Sequence, residues 1–277
     1  MYSALLEIGN TVEQFSLWQV IVLAVVQGVT EFLPVSSDGH LALVEPLIWT
    51  SSAPRPEGMD LTIVLHLGTL GSILVFYRRR ILELLTADRR VAALIVLGTI
   101  PAVALVLVCK MLDDRFEAIL KSLLLAGFML PVTGAALIWV SYRSGGERDY
   151  RELTWWDSLL IGIAQATAIL PGLSRSGTTI SAGLTRGLKR SAAATYSFLL
   201  AIPALAGAGA YEGLKMLRGA ALSATPGHLA IGAVVSFVVG LGALAALSRV
   251  VERGRLHYFG WYCIGLGLVV IVLNWPR

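Results

Sequence analysis

The chain has 277 residues, of which 56% are hydrophobic and only 14% charged, with a net charge of +4 and a mean hydropathy of +0.74. Soluble domains carry about 25% charged residues, so this composition excludes a soluble globular enzyme and predicts an all-α, polytopic membrane protein. The excess positive charge then reads as orientation charge, with the membrane and no nucleic acid as its partner.

The first ten residues hold Glu7 but neither Lys nor Arg, so the basic start of a secretory signal is missing and the first apolar segment is expected to stay in the mature protein. Residues 17–33 are apolar but interrupted by Gln27 and Glu31, then broken by Pro34 and Gly39. The next run, 41–50, contains Glu45 and Pro46 and as a helix reaches only about 15 Å, half of the roughly 30 Å hydrocarbon core. A re-entrant hairpin is predicted, turning at Pro34–Gly39 and leaving on the side it came from, with Trp18 and Trp49 as anchors at one interface.

Residues 61–77, 91–109 and 118–140 follow as full spans, two of them bent by Pro101 and Pro131, with Lys121 snorkelling from one end. Cys109 and Cys263 sit in separate apolar runs and read as small buried hydrophobes. The pattern then restarts. Residues 155–170 are broken by Pro171–Gly177, and Thr178–Thr185 is a second half-length segment. Spans at 191–211, 228–248 and 258–275 complete it.

One membrane domain therefore contains two repeats, about 15–141 and 153–276, each a re-entrant hairpin plus three transmembrane helices. Aligning Pro34 with Pro171 also aligns Leu33 with Leu170 and Ser37 with Ser174. Three crossings per repeat put the second on the opposite side, which makes the repeat inverted in topology. Most of the 22 Lys and Arg residues, including Arg78–Arg80, Arg89, Arg90 and Arg186, fall on the side away from the N-terminus. That side is predicted to be cytoplasmic, with both termini outside and the first hairpin entering from outside.

Ionisable groups at membrane depth mark functional sites by default, and both breaks carry them. Gln27 and Glu31 share one helical face. Ser36-Ser37-Asp38 and Ser174-Arg175-Ser176-Gly177 each read as a helix start, so two N-termini offer N–H groups and positive dipole ends to an anion. Arg175 suits bidentate phosphate contact. A diphosphate exceeds the charge of one arginine, which implies a divalent cation, Mg²⁺ or Ca²⁺, held by Glu31 with Asp38 as a second candidate. His40 is a candidate general base or acid, and Ser37 either attacks phosphorus or holds the phosphate while water attacks. Plainer roles compete: Ser36 and Asp38 also suit caps, and Glu31 and Arg175 a structural ion pair. His66, beside Gly68 and Thr69, is polar at membrane depth and suits either the cavity lining or, more readily, packing within its span.

Gln27-Gly-Val-Thr-Glu31-Phe-Leu-Pro-Val-Ser36-Ser37-Asp38-Gly-His40 and Pro171-Gly-Leu-Ser174-Arg175-Ser176-Gly177 resemble the two motifs of the bacterial undecaprenyl-diphosphate phosphatase family of the bacitracin-resistance BacA type. The similarity extends to His66-Leu-Gly-Thr69 and Ser197-Phe-Leu-Leu-Ala-Ile-Pro203. The resemblance implies removal of the terminal phosphate from undecaprenyl diphosphate, which regenerates the lipid carrier of peptidoglycan synthesis. It makes Glu31, Ser37, His40 and Arg175 catalytic, and it agrees with a divalent-metal requirement and activity on the outer face of the cytoplasmic membrane. Gln27, Ser36, Ser174, Ser176, Gly177 and Thr178 are the expected phosphate ligands. Asp38 stands where that family more often has Ser or Thr. The lipid diphosphate is the expected partner, and a homodimer is compatible with the chain. A flippase for polyprenyl phosphates, which needs the cation and the helix ends but no nucleophile, is the alternative from another class.

Overall fold

The computed structural model describes residues 14–49, 59–111, 119, 122–143, 145–217 and 222–275. Lys121, Arg55 and Glu7 lie outside the described residues. Helix α1 (Leu17–Thr30) starts behind Ser16, whose backbone N–H donates to Gln19 Oε1 at 2.8 Å. The chain turns through Pro34 into α2 (Ser37–Ile48). Gln19 Nε2 donates to the Ile48 carbonyl at 2.9 Å, and the rings of Phe15 and Trp49 meet edge to face at 5.3 Å. The first hairpin thus returns to the end at which it began, as the short second run requires.

Helix α3 (Met59–Phe76) is followed by α4 (Arg78–Thr86), bent from it by 73°. The sequence reading gave a single span there and no α4. Three consecutive guanidiniums, Arg78–Arg80, cannot continue into hydrocarbon. The chain therefore turns, and α4 keeps Leu84 buried while Arg80 pairs with Glu83 at 2.7 Å. Helices α5 (Arg89–Lys110) and α6 (Leu123–Ser141) complete the first half. The start of α6 at Leu123, later than predicted, is set by Ser122, whose Oγ accepts from the Leu125 N–H at 3.3 Å.

A 3-10 turn at Tyr150–Glu152 leads into α7 (Trp155–Thr167), capped by Thr154, and α8 (Arg175–Thr185), capped by Ser174. The first turn of α8 includes Arg175, earlier than the predicted Thr178, because Ser174 Oγ accepts from the Gly177 N–H at 3.1 Å. Buried Asp157, at the start of α7, accepts from Arg186 at 2.6 Å and from Arg148 at 2.9 Å. Arg186 closes α8, so the second hairpin also returns to its own starting end. Helices α9 (Arg190–Leu217), α10 (Pro226–Glu252) and α11 (His257–Asn274) follow.

Helix α9 spans about 42 Å at 1.5 Å per residue. It starts beside Arg186 and runs toward the connection where the Phe15 N–H donates to the Ser223 carbonyl at 2.7 Å. The two hairpins therefore open at opposite ends of the molecule. Among the described residues five helices are long and apolar enough to cross a membrane, or six if α3 and α4 form one bent span. The chain is a multi-pass membrane protein. Exposed Val96, Ile100, Val103 and Leu107 on α5 are part of its apolar outer face.

The most extensive helix pairing is α6 with α11. It depends on small residues: a Cβ on Gly134 would lie 2.5 Å from the Gly260 carbonyl, so the two backbones touch as membrane helices do when glycines meet. Helix α1 packs on α10, α7 on α5, and α3 on both α9 and α10. Cys263 is buried as expected, with its Sγ 3.6 Å from the Pro34 carbonyl, whereas Cys109 is only half-buried.

Candidate functional site

The two breaks meet inside the bundle. Their chains pass close to one another: a Cβ on Gly177 would lie 3.3 Å from Pro34 Cβ, and one on Gly39 would lie 3.9 Å from Gly172 Cα. Gly172 has φ +90°, and a side chain there would strike the Ala126 carbonyl at 2.3 Å, so only glycine fits this turn. Thr133 on α6 braces the second break, donating to the Gly172 carbonyl at 3.0 Å and accepting from the Ser174 N–H at 3.1 Å.

Glu31, at the end of α1, is the hub. Its Oε2 accepts from Ser37 Oγ at 2.7 Å and from Gln27 Nε2 at 3.0 Å. Its Oε1 is held by Arg175 Nη2 of the opposite hairpin. A carboxylate 6% exposed is tolerable only with such partners. Arg175 commits one nitrogen to this pair, while its buried Nη1 has no hydrogen-bond partner.

A cavity of about 220 Å³ opens beside the pair. Its polar lining is Thr30, Glu31, Ser36, Ser37, Asp38, His66, Gln165, Ser174 and Arg175. Helix α2 has no side-chain cap, so the N–H groups of its first turn are not capped by Ser36. Ser36 itself has φ +69°, a conformation costly for any residue but glycine and typical of functional turns.

Of the two places that the sequence allows His66, packing within its span or the cavity lining, α3 delivers it to the cavity. Its Nδ1 lies 2.7 Å from the Thr62 carbonyl, which can only accept, so the Nδ1 proton is fixed there. The Nε2 atom is then the position that gains or loses a proton, and it faces Glu31 Oε2 at 3.4 Å and Asp38 Oδ1 at 4.0 Å. The signal was a polar residue at membrane depth; helical phase, set by tertiary packing, was missing.

His40 does not reach the cavity. Its Nδ1 lies 2.7 Å from the Ser36 carbonyl and its Nε2 2.7 Å from Tyr262 Oη on α11, so both nitrogens of the neutral ring are engaged. Of the other expected ligands, Gln27 lies fully buried beneath Glu31, and Ser174 lines the cavity while capping α8. Ser176 Oγ lies 3.1 Å from Ser174 Oγ, and Thr178 Oγ1 donates to the Arg175 carbonyl at 3.0 Å. With Gly177, these two build the turn and are not part of the cavity lining.

Among the described residues no group of three His, Cys, Asp or Glu side chains is placed to hold a metal ion. The oxygens of Glu31 are already occupied by donors, while the Asp38 side chain is 68% exposed. Asp38 is the exposed carboxylate of the cavity lining.

An apolar groove of about 500 Å³ between α5 and α9 adjoins the cavity. Ala102, Val106 and Ala204 line both, and the groove runs on past Val103, Pro203 and Gly207 to Tyr211. A charged pocket thus opens into a lateral, hydrocarbon-facing channel.

Residues 20–269 match the family model described as bacitracin resistance protein BacA. The chain is 46% identical to an undecaprenyl-diphosphatase of Rhodopirellula baltica over 92% of its own length and 97% of that protein. It is 39% identical to one of Mycobacterium leprae, covering 95% of this chain and 96% of the relative. One of Corynebacterium efficiens is 38% identical, over 95% and 92% of the two lengths.

Proposed function

The chain belongs to the bacitracin resistance protein BacA family, and we propose that the cavity between its two hairpins is where it hydrolyses undecaprenyl diphosphate to undecaprenyl phosphate and inorganic phosphate. The observation that carries this reading is the junction of a cavity holding Arg175 and Ser37 with an apolar groove at Ala102, Val106 and Ala204. An amphiphile with a charged head and a long isoprenoid tail needs both, in contact.

The diphosphate lies against Arg175 Nη1 and the open first turn of α2, where the N–H groups favour an anion. Ser37 Oγ attacks the terminal phosphorus, and its proton passes to Glu31 Oε2, 2.7 Å away. The bond from that phosphorus to the bridging oxygen breaks, and undecaprenyl phosphate leaves along the groove. Water then hydrolyses the phosphoserine, releasing inorganic phosphate and restoring Ser37. His66 Nε2, 3.4 Å from Glu31 Oε2, carries protons between Glu31 and the phosphate oxygens. His40 acts through Ser36, holding its carbonyl and with it the strained turn before Ser37. Asp38 and Glu31 are the residues that would hold a divalent cation, which when bound would neutralise charge on the phosphoryl oxygens.

The two hairpins open at opposite ends, and equivalent helices pair across the halves: α1 with α10 as α7 with α5, and α3 with α10 as α9 with α5. This supports an inverted-topology repeat, while the site opening outward from the cytoplasmic membrane and both termini outside rest on the distribution of Lys and Arg. The same architecture is a transporter design, which keeps lipid translocation as the second reading.

The deciding experiment is phosphate release from a long-chain polyprenyl diphosphate by the purified protein in detergent, with Mg²⁺ or Ca²⁺ and then with EDTA. Metal-dependent release is expected. A folded protein that binds the lipid without releasing phosphate would leave translocation as its function.

A further inference from the structure

Three polar side chains of the cavity lining are not used by the chemistry above, and of these Thr30 and Ser174 are bonded within the protein whereas Gln165 is not. Gln165 lies on α7, ahead of the second break, and is only 4% exposed. Neither its Oε1 nor its Nε2 has a hydrogen-bond partner, yet it lines the same cavity as Glu31, Ser37, His66 and Arg175. Other buried glutamines of the two hairpins are put to use within the protein. Gln19 accepts from the Ser16 N–H and donates to the Ile48 carbonyl, and Gln27 donates to Glu31 with only its Oε1 unpaired, so Gln165 alone of the three has both amide atoms unpaired. Burying an amide with both ends unpaired is costly, and sites that tolerate it are those where a ligand supplies the partners.

The second unpaired donor of this cavity is Arg175 Nη1. Two buried donors, one cationic and one neutral, thus line one space whose remaining polar groups are hydroxyls, carboxylates and an imidazole. We infer that Gln165 is a substrate-binding residue for the phosphate group. Its Nε2 donates to a non-bridging oxygen of the lipid diphosphate while Arg175 Nη1 takes another, and its Oε1 accepts from a water carried in with the phosphate. The two hairpins then share the headgroup, with Ser37 coming from the first and Gln165 and Arg175 from the second. A neutral donor suits this place: it adds a contact to the diphosphate without adding charge that would hold the released phosphate. The inference rests on the phosphatase reading and names a ligand that reading left out.

The test compares wild type with Gln165→Leu and Gln165→Glu in three measurements: phosphate release, binding of a non-hydrolysable methylene-bridged polyprenyl diphosphonate, and thermal melting. Gln165→Leu should weaken diphosphonate binding and raise KM by about tenfold or more, the value of a hydrogen bond to a charged group. It should also melt higher than wild type, because the unpaired amide is gone. Gln165→Glu should weaken binding further by repulsion. Unchanged KM and diphosphonate affinity in both variants, with wild type active, would overturn the inference. So would a Gln165→Leu protein that melts lower and loses kcat with its affinity intact, the pattern of a structural residue. If Gln165→Leu does not fold, Gln165→Met carries the same expectations. A wild type that binds the diphosphonate but releases no phosphate would refute the phosphatase reading alone, because the binding comparison still decides Gln165.

Discussion

Arg175 of the second hairpin binds the carboxylate of Glu31 in the first, across 144 positions of sequence. The pair does two things at once. It closes the bundle by joining two half-length hairpins that come from opposite ends, and it leaves Arg175 Nη1 unpaired beside the cavity. The arginine is half structural and half available to substrate.

That division predicts a separation of stability from activity. Arg175→Ala should abolish phosphate release and also destabilise the protein by about 3–5 kcal/mol, because Glu31 is left buried without its partner. Adding Glu31→Gln should recover most of the melting temperature and none of the turnover. Recovery of turnover in the double variant would make the pair purely structural.

Histidine roles can be told apart by pH. His66 Nε2 faces Glu31, whereas His40 is bonded at both ring nitrogens to Ser36 and Tyr262. His66→Gln should lower kcat by about 10²-fold or more and flatten the pH profile of kcat/KM. His40→Ala should lower the rate and the melting temperature while the shape of the profile stays that of wild type. A profile altered by His40→Ala and untouched by His66→Gln would exchange the two assignments.

Ser37 lies within hydrogen-bond reach of its proton acceptor, Glu31. Rapid acid quench during turnover should therefore trap phosphate on Ser37, detectable by mass spectrometry of the peptide containing it. Ser37→Ala should abolish the label together with turnover. Substantial turnover by that variant would mean that water attacks phosphorus directly.

The groove predicts chain-length dependence. Gly207 lines it, and a Cβ there would meet nothing within 4 Å, so a larger side chain fits without disturbing the fold. Gly207→Phe should reduce kcat/KM for a long polyprenyl diphosphate by about tenfold or more, the scale of lost apolar contact in a pocket, and leave a short prenyl diphosphate nearly unaffected. Equal losses for both substrates would place the tail elsewhere.

Much of this protein was legible from its sequence, for one physical reason: hydrocarbon makes polar residues expensive. Glu31, Ser37 and Arg175 stood out because they interrupt apolar segments, and the half-length runs on either side of Pro34 and Pro171 could only be hairpins. Both helix starts, at Ser36 and Ser174, were marked by their polar residues, although only Ser174 caps its helix with its side chain and α8 begins closer to that cap than the apolar run suggested. The bend after Phe76 was present in Arg78–Arg80, which end the predicted span 61–77, whereas the short helix α4 that they begin was not expected.

Facing was decided by tertiary structure alone. His40 lies in the motif yet is turned to Tyr262 on α11, because that helix packs against the first break. His66 lies outside both motifs and reaches Glu31, because α3 packs beside α1 with that face inward. Gln165 lies in neither motif; only the assembled cavity shows that both its amide atoms lack partners. A sequence records which residues are costly in a membrane, but rotation about each helix axis and the meeting of distant breaks come from packing among all the helices at once.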